Sequence, residues 1–126
     1  LASFVGTRVE SREPWMLRVL DAAGAVAARG WPAPVSGAVD LELDDDLCPW
    51  DAGPHRLVLE GGEARLEPGG TGAVRLTMRG FALLYAGGAG PPILRRAGML
   101  SGGGADDDAF LAAATAGPVP ALLDYF

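Results

Sequence analysis

Residues 56–67 read RLVLEGGEARLE, and this stretch carries the strongest structural signal in the chain. Apolar and charged side chains alternate on both sides of the Gly61-Gly62 pair, a period of two that is typical of strands with one buried face. Two consecutive glycines supply the positive φ angles of a two-residue turn. The stretch therefore predicts a β-hairpin.

Outward from the hairpin, residues 39–44 (VDLELD) and 73–78 (AVRLTM) alternate in the same way. Each run predicts a half-buried strand, and the outer face of the first is entirely acidic. Arg and Glu on neighbouring outer faces can pair across strands for about a few tenths of a kcal/mol. Between Trp15 and Leu20 the run is apolar on both faces apart from Arg18, which predicts a central strand buried on two sides.

Helical signals occupy much of the remaining chain. Asp21 is placed to N-cap a short Ala-rich helix that ends near Gly30. After the last of these strands the period changes, because Phe81, Leu84 and Tyr85 recur at helical spacing. These residues predict a helix directly after the sheet.

Two more helices are predicted toward the carboxy-terminus. Pro91-Pro92 opens one helix, which Gly98 closes. Residues 101–105 predict a flexible Gly-rich link, and Asp residues 106–108 favour a helix start, where the helix dipole stabilises negative charge. Gly117-Pro118 stops that helix. The whole pattern predicts an α+β fold with about five mainly antiparallel strands and helices packed on one face.

Composition restricts the possible functions. The chain has 126 residues, enough for one domain, and no apolar run approaches the roughly 20 residues that a membrane helix requires. A net charge of −6, with acidic runs at residues 44–46 and 106–108, would repel nucleic acid and anionic lipid head groups. We therefore expect a soluble protein whose partners include neither nucleic acid nor membranes.

The single cysteine and the first residue of the chain bear on where the protein is located and on whether the chain is part of a longer protein. Cys48 is the only cysteine, so no internal disulfide framework is expected, as in a reducing cytosol, and the thiol is either a small buried apolar group or idle. The n-region of a signal peptide is missing, and we expect a cytoplasmic protein. Because the chain starts with Leu1 rather than Met, we expect it to be part of a longer parent protein.

Several segments resemble the carboxy-terminal domain of Eis (enhanced intracellular survival) proteins, a family of GNAT N-acetyltransferases. Residues 15–29 (WMLRVLDAAGAVAAR) are similar to the segment that opens that domain, and residues 57–59 with the Gly-Gly hairpin are similar to its sheet. Residues 83–88 (LLYAGG) and 94–98 (LRRAG) resemble its Leu-Tyr-Gly-Gly and Arg-Ala-Gly helices, and the terminal aromatic residue also matches. The resemblance is specific in its combination and order.

This resemblance covers residues 14–126 and implies a sterol-carrier-protein-like fold, with residues 1–13 as the connection from a preceding domain. In the family, two tandem GNAT-like domains precede this one, and the first binds acetyl-CoA. The parent protein would be an enzyme that acetylates primary amines, such as those of aminoglycosides or lysine side chains. The present chain would be an accessory domain and not an enzyme by itself, with the N-terminal acetyltransferase domains of the same parent as its partners.

The resemblance also assigns a role to the carboxy-terminus. The last residue of such proteins lends its main-chain carboxylate to the active site as a general base, which here is Phe126, and Tyr125 is assigned to substrate binding beside it. Residues 119–126 (VPALLDYF) are unusually apolar for a domain end and should be covered. They either fold back on their own sheet or dock against the acetyltransferase domains, and the family favours docking.

Three other sequence features could indicate a binding or catalytic site. Residues 95–100 (RRAGML) come nearest to the pyrophosphate-binding loop of a GNAT domain, but Leu100 stands where Gly or Ala is needed, so Gly98 is interpreted as a helix C-cap. His55, the single histidine, lacks a partner motif and is predicted at the surface. The acidic runs are interpreted as solvated faces. We predict neither a cofactor site nor a metal site in this chain; acetyl-CoA and the amine would bind elsewhere in the parent.

Two other functions stay open. Sterol-carrier-like folds can hold acyl chains in an apolar tunnel between sheet and helices, so the chain could instead bind lipid without catalysis. The candidate lining residues are Phe81, Leu84, Tyr85, Ile93, Leu94, Met99, Phe110 and Leu111. The chain could also be an interaction domain that supports homo-oligomerisation.

Overall fold

The computed structural model describes residues 17–116, and a five-stranded sheet forms its centre. The strands are β1 (Gly37–Asp44), β2 (Gly53–Glu60), β3 (Glu63–Pro68), β4 (Val74–Thr77) and β5 (Leu100–Gly102). They lie in the order β3-β2-β1-β4-β5. Strands β1 and β4 are parallel, and the other neighbouring pairs are antiparallel. The α+β class and the mainly antiparallel sheet are thus confirmed.

The predicted hairpin is formed by β2 and β3. Its turn residues Gly61 and Gly62 have φ angles of 60° and 85°, both in the left-handed region that a two-residue turn of this kind requires. Leu57 pairs directly with Leu66 across the hairpin, which puts both on the buried face. The register therefore follows from the alternation in the sequence.

Four helices accompany the sheet in the described part of the chain: α1 (Ala22–Ala28), α2 (Met78–Ala86), α3 (Pro91–Arg96) and α4 (Ala105–Ala114). The predicted N-cap of α1 is confirmed, because the Gly24 N–H donates to Asp21 Oδ1 at 3.0 Å. Helix α4 begins with the three aspartates, also as predicted. None of these helices is long and apolar enough to cross a bilayer.

The core lies between the helices and one face of the sheet. Its most completely buried large side chains come from both layers and are Leu41, Leu43, Leu59, Leu76, Val74, Leu94, Leu111 and Val26. The opposite face of the sheet is charged. There Arg56 pairs with Asp40 at 2.8 Å and Arg75 pairs with Asp44 at 3.0 Å. The predicted cross-strand pairing is therefore present, with Asp as the partner on β1.

One predicted strand is wrong. Residues 17–20 are not a strand, and Leu17 and Leu20 are exposed while Val19 is buried. Arg18 pairs with the carboxylate of Asp45, directly after β1, at 2.7 Å. Trp15 and Met16 lie outside the described residues. Residues 17–20 therefore contribute the Val19 side chain to the core and do not form the predicted central strand.

Two boundaries also differ from prediction. Met78 begins α2 rather than ending β4, because the Thr77 hydroxyl caps the helix by accepting from the Gly80 N–H at 3.1 Å. The Gly-rich link is partly a strand, since Gly102 pairs with Val74 of β4. Gly102 has a φ of 72°, and a Cβ there would lie 2.4 Å from the Ala73 carbonyl oxygen. Gly102 therefore allows β5 to lie close to β4 at this edge of the sheet, where a flexible link was predicted.

Candidate functional site

The two residues that were assigned catalytic and substrate-binding roles, Phe126 and Tyr125, lie outside the described residues. The last described helix, α4, precedes them in the sequence. Leu111 of α4 is buried, and the Thr115 hydroxyl just after the helix donates to the Leu111 carbonyl at 2.8 Å. Thr115 also lines an internal cavity, so α4 ends beside that cavity.

This cavity lies between the sheet and helices α2 and α4 and has a volume of about 20 Å³. Its lining residues are Trp31, Leu41, Leu57, Leu76, Phe81, Leu84, Tyr85, Leu111 and Thr115. A void of this size can admit about one water molecule, whereas pockets for small organic ligands typically measure roughly 300–1,000 Å³. The cavity gives no support to the interpretation as a lipid carrier.

The structure brings together only some of the residues predicted to line an acyl-chain tunnel. Four of them line the small cavity: Phe81, Leu84, Tyr85 and Leu111. Leu94 is fully buried in the core, while Met99 and Phe110 pack partly buried against it. Ile93 is 56% exposed, so its assignment to the tunnel is wrong. Its position on α3 faces away from the sheet, whereas Leu94, one residue later, faces the core.

Polar groups beside the cavity are engaged in joining α1 to α2. The Tyr85 hydroxyl donates to the Ala25 carbonyl at 2.9 Å, and Arg29 Nε donates to the Tyr85 carbonyl at 2.9 Å. The Arg29 guanidinium carbon lies 4.4 Å from the centroid of the Trp31 ring, a cation–π contact. Trp31 Nε1 donates to the Val26 carbonyl at 2.9 Å. These groups therefore hold the fold together at the cavity wall.

The segment nearest to a pyrophosphate loop is a helix end, as predicted. Gly98 has a φ of 75°, and its N–H donates to the Arg95 carbonyl at 3.1 Å. Arg95 Nε and Nη2 bind both carboxylate oxygens of Asp108 at 2.8 Å. This hydrogen bonding lowers the pKa of Asp108 although its partial burial acts in the opposite direction. Arg95 thus pins α3 to α4.

His55 is buried, which corrects its predicted surface position. The alternation of β2 places it on the inner face with Leu57 and Leu59. Its Nδ1 lies 3.0 Å from the Gly53 carbonyl oxygen. Because that carbonyl can only accept, Nδ1 is the protonated nitrogen of this pair. The imidazole therefore has a local structural partner two residues earlier.

Three further polar side chains meet in the turn between β1 and β2. We call Asp45, Cys48 and Asp51 the Asp–Cys–Asp cluster. The N–H groups of Leu47 and Cys48 each donate to Asp45 Oδ1 at 3.0 Å. The Ala22 N–H at the start of α1 donates to Asp51 Oδ1, also at 3.0 Å. The Asp45 side chain is 1% exposed and Asp51 is 3% exposed, so the cluster is shielded from solvent.

Arg18 is the cation that contacts this cluster. Its Nη2 donates to Asp45 Oδ1 at 2.7 Å and to Cys48 Sγ at 3.4 Å. Burial acts to raise the pKa of Asp45, but the donors from Cys48, Arg18 and Leu47 together outweigh burial and lower it. The interpretation of residues 44–46 as a solvated face is therefore wrong for Asp45.

The sequence interpretation missed this cluster because it considered only consecutive acidic residues. Asp45, Cys48 and Asp51 are spaced three residues apart, and one oxygen of each carboxylate and the thiol sulfur all lie within 4.8 Å of one another. The spacing Asp-x-x-Cys-x-x-Asp in a predicted turn would have been the available signal. Consecutive side chains diverge, but side chains at this spacing can meet when the turn closes on itself.

Comparison with known proteins places the fold in a family. Residues 22–121 match the sequence model of the sterol carrier protein domain. The chain belongs to the sterol carrier protein domain family. This sterol carrier protein domain is 39% identical over 82 residues to an uncharacterized N-acetyltransferase of Streptomyces coelicolor, an alignment that covers 64% of the domain's chain and 19% of the relative.

Solved structures give the same picture. A GCN5-related N-acetyltransferase from Kribbella flavida is 39% identical with a TM-score of 0.81, and the match covers 86% of this chain and 28% of that one. A GCN5-related N-acetyltransferase from Anabaena variabilis is 30% identical with a TM-score of 0.88, covering 94% and 30%. The sterol carrier protein domain is therefore acetyltransferase-related and spans less than a third of these relatives.

Eis1 from Mycobacterium abscessus shares the fold. The match has a TM-score of 0.65 at 23% identity and covers 79% of the sterol carrier protein domain's chain and 24% of Eis1. At this identity the likeness concerns the arrangement of helices and strands alone.

Proposed function

We propose that this chain is the carboxy-terminal accessory domain of an Eis-type GNAT N-acetyltransferase that acetylates primary amines from acetyl-CoA. The observation that carries the proposal is the partial overlap with its relatives. The chain matches under a third of proteins named N-acetyltransferases, and it does so over most of its own length. The remaining part of such a parent would contain the domains that bind acetyl-CoA and the amine.

The domain would contribute its terminal carboxylate to the active site of the parent. Phe126 would supply the carboxylate as a general base, and Tyr125 would bind substrate next to it. The resemblance to Eis proteins and the apolar character of residues 119–126 support this role. Among residues 17–116, the polar side chains beside the internal cavity, Tyr85, Arg29 and Trp31, are occupied by structural contacts. Because these three side chains make structural contacts, the proposal assigns the catalytic role to the carboxy-terminal residues instead.

An exposed apolar patch provides a candidate surface for the acetyltransferase domains. It consists of Leu17, Leu20, Leu47 and Trp50, all exposed, and Trp50 is 68% exposed. Trp50 Nε1 donates to the Leu20 carbonyl at 2.9 Å, which joins the turn after β1 to the segment before α1. Two of its members, Leu17 and Leu20, lie in the segment before α1. Exposed aromatic and Leu side chains of this kind are typical of interfaces.

Displacing the terminal carboxylate tests the proposed catalytic role. In the full-length parent, a few Gly and Ser residues appended after Phe126 would move the carboxylate out of the site. A general base typically contributes about 10²- to 10⁴-fold, so we expect the rate of amine acetylation to fall at least tenfold. Melting temperature and oligomeric state should hardly change, because the core lies in residues 19–114.

Phe126→Leu is the matched control. It changes the side chain but leaves the main-chain carboxylate in place, and we expect most of the activity to remain. If the extended protein acetylates amines at the normal rate, the carboxylate has no part in catalysis. If Phe126→Leu loses as much activity as the extension, the side chain matters through packing and the assigned chemistry is wrong.

A further inference from the structure

We propose that the Asp–Cys–Asp cluster binds a divalent transition-metal cation, and that zinc is the ion it fits best. The site would be separate from the acetyl-transfer chemistry of the parent and would belong to this domain. Asp45, Cys48 and Asp51 supply two carboxylates and one thiol from a single turn. These are ligand types that zinc accepts together.

The distances within the cluster suit a small cation. The three candidate ligand atoms all lie within 4.8 Å of one another. Around a tetrahedral zinc, with ligands at roughly 2.0–2.3 Å, ligand atoms are separated by roughly 3.3–3.8 Å. Small side-chain rotations would therefore bring the ligands onto a common ion. Three protein ligands leave a fourth position, which a water molecule would fill.

The hydrogen bonds of both carboxylates are incomplete in the same way. Asp45 Oδ1 accepts from backbone N–H groups and Arg18, and Asp51 Oδ1 accepts from the Ala22 N–H. The second oxygen of each, Oδ2, is buried and has no hydrogen-bond partner within residues 17–116. Buried charged oxygens are rarely left unpaired because their desolvation is costly. One oxygen thus fixes the orientation of each carboxylate, and the other stays available for an ion.

The charges in the cluster also call for a cation. Two carboxylates, Asp45 and Asp51, lie in the cluster, and among residues 17–116 the cation that contacts it is Arg18. A bound divalent ion would add positive charge beside both carboxylates and would take Cys48 as a thiolate, with release of its proton. The presence of sulfur disfavours Mg²⁺ and Ca²⁺, which prefer oxygen ligands alone. Zinc combines the required charge with affinity for sulfur.

Cobalt provides a direct spectroscopic test, because Co²⁺ substitutes for zinc and its bond to a thiolate absorbs in the near ultraviolet. The metal-free 126-residue chain would be titrated with Co²⁺ and then with Zn²⁺. We expect one equivalent of Co²⁺ to produce a thiolate-to-cobalt charge-transfer band, and Zn²⁺ to abolish it. Cys48 is the only cysteine, so the band in the unaltered protein reports this residue without any substitution.

Three variants assign the ligands. Cys48→Ser should remove the band, and Asp51→Asn should weaken Co²⁺ binding at least tenfold, because the amide keeps an acceptor for Ala22 but loses the charge. Asp46→Asn is the matched control, since this neighbouring aspartate is exposed and outside the cluster. It should bind as tightly as the unaltered chain. Near-ultraviolet circular dichroism would verify that each variant is folded.

Two results would overturn the proposal. If one equivalent of Co²⁺ gives no charge-transfer band in the unaltered protein, the thiol is not a ligand. If a band forms but Asp46→Asn weakens it as much as Asp51→Asn does, the binding is a general property of the acidic surface.

Discussion

Replacing Leu111 by Ala tests whether the helices pack directly on the sheet or enclose a ligand tunnel. Leu111 is 2% exposed and lines the cavity of about 20 Å³. The substitution removes three carbon groups, worth about 0.8 kcal/mol each for transfer alone. The new void would merge with the existing cavity and would not close completely, which brings the expected loss of stability to about 3–4 kcal/mol.

Ile93→Ala is the matched control, because it removes the same number of carbon atoms from a neighbouring helix. Ile93 is 56% exposed, so the expected change is within about 0.5 kcal/mol. Urea unfolding of both variants would measure the free energies, and the thermal midpoint of Leu111→Ala should fall by on the order of 12 °C or more. Equal losses in the two variants, or a smaller loss for Leu111→Ala, would refute the packing of α3 and α4 described above.

Four further outcomes are expected. A fluorescent fatty acid should show no saturable binding to the 126-residue chain, because the cavity is too small for an acyl chain; stoichiometric binding at low micromolar concentration would contradict this. Acetyl-CoA should leave the melting temperature of the chain unchanged, and a rise in melting temperature with added acetyl-CoA would reveal an unrecognised cofactor site. Gly102→Ala should destabilise by about 1–3 kcal/mol in urea unfolding, because φ is 72° and a Cβ there would clash with the Ala73 carbonyl oxygen, whereas Gly30→Ala, at a position without a positive φ and with no atom within 4 Å, should cost less. Hydrogen bonds from Arg56 and Thr71 lower the pKa of Asp40 from 3.8 to about 2. The stability that the ionised Asp40 contributes is therefore fully present above pH 3.8 and is lost as the pH falls toward 2. The difference in unfolding free energy between the unaltered chain and Asp40→Asn should shrink between these pH values, and a constant difference would argue against the ion pair.

The sequence predicts those parts of this fold in which one local pattern determines burial. Residues 39–44 and 56–67 alternate between apolar and charged side chains, and a strand with one buried face satisfies that alternation at once. The caps of α1 and α3 are equally local, since Asp21 and Gly98 act within a few residues of their own positions. In such segments no distant contact is needed to choose the conformation.

The errors occur where distant contacts decide. Residues 17–20 look like a buried strand, but they lie outside the sheet, and Arg18 pairs with Asp45 from the turn after β1. Residues 101–105 look like a linker, yet β5 forms because Gly102 allows close pairing with β4. Neither contact produces a periodic pattern of apolar residues, so the sequence pattern alone could not predict either contact.

The Asp–Cys–Asp cluster depends on distant contacts for the same reason. Its three members come from one turn, but Arg18 contacts Asp45 and Cys48, and the N–H of Ala22 at the start of α1 contacts Asp51. The segment just before α1 also carries Leu17 and Leu20 of the exposed apolar patch. A cation bound in the turn would fix the carboxylate of Asp51, whose Oδ1 accepts from the Ala22 N–H. If the proposed metal site is correct, zinc should protect the amide of Ala22 from hydrogen exchange, whereas amides of the distant β2–β3 turn should exchange at an unchanged rate.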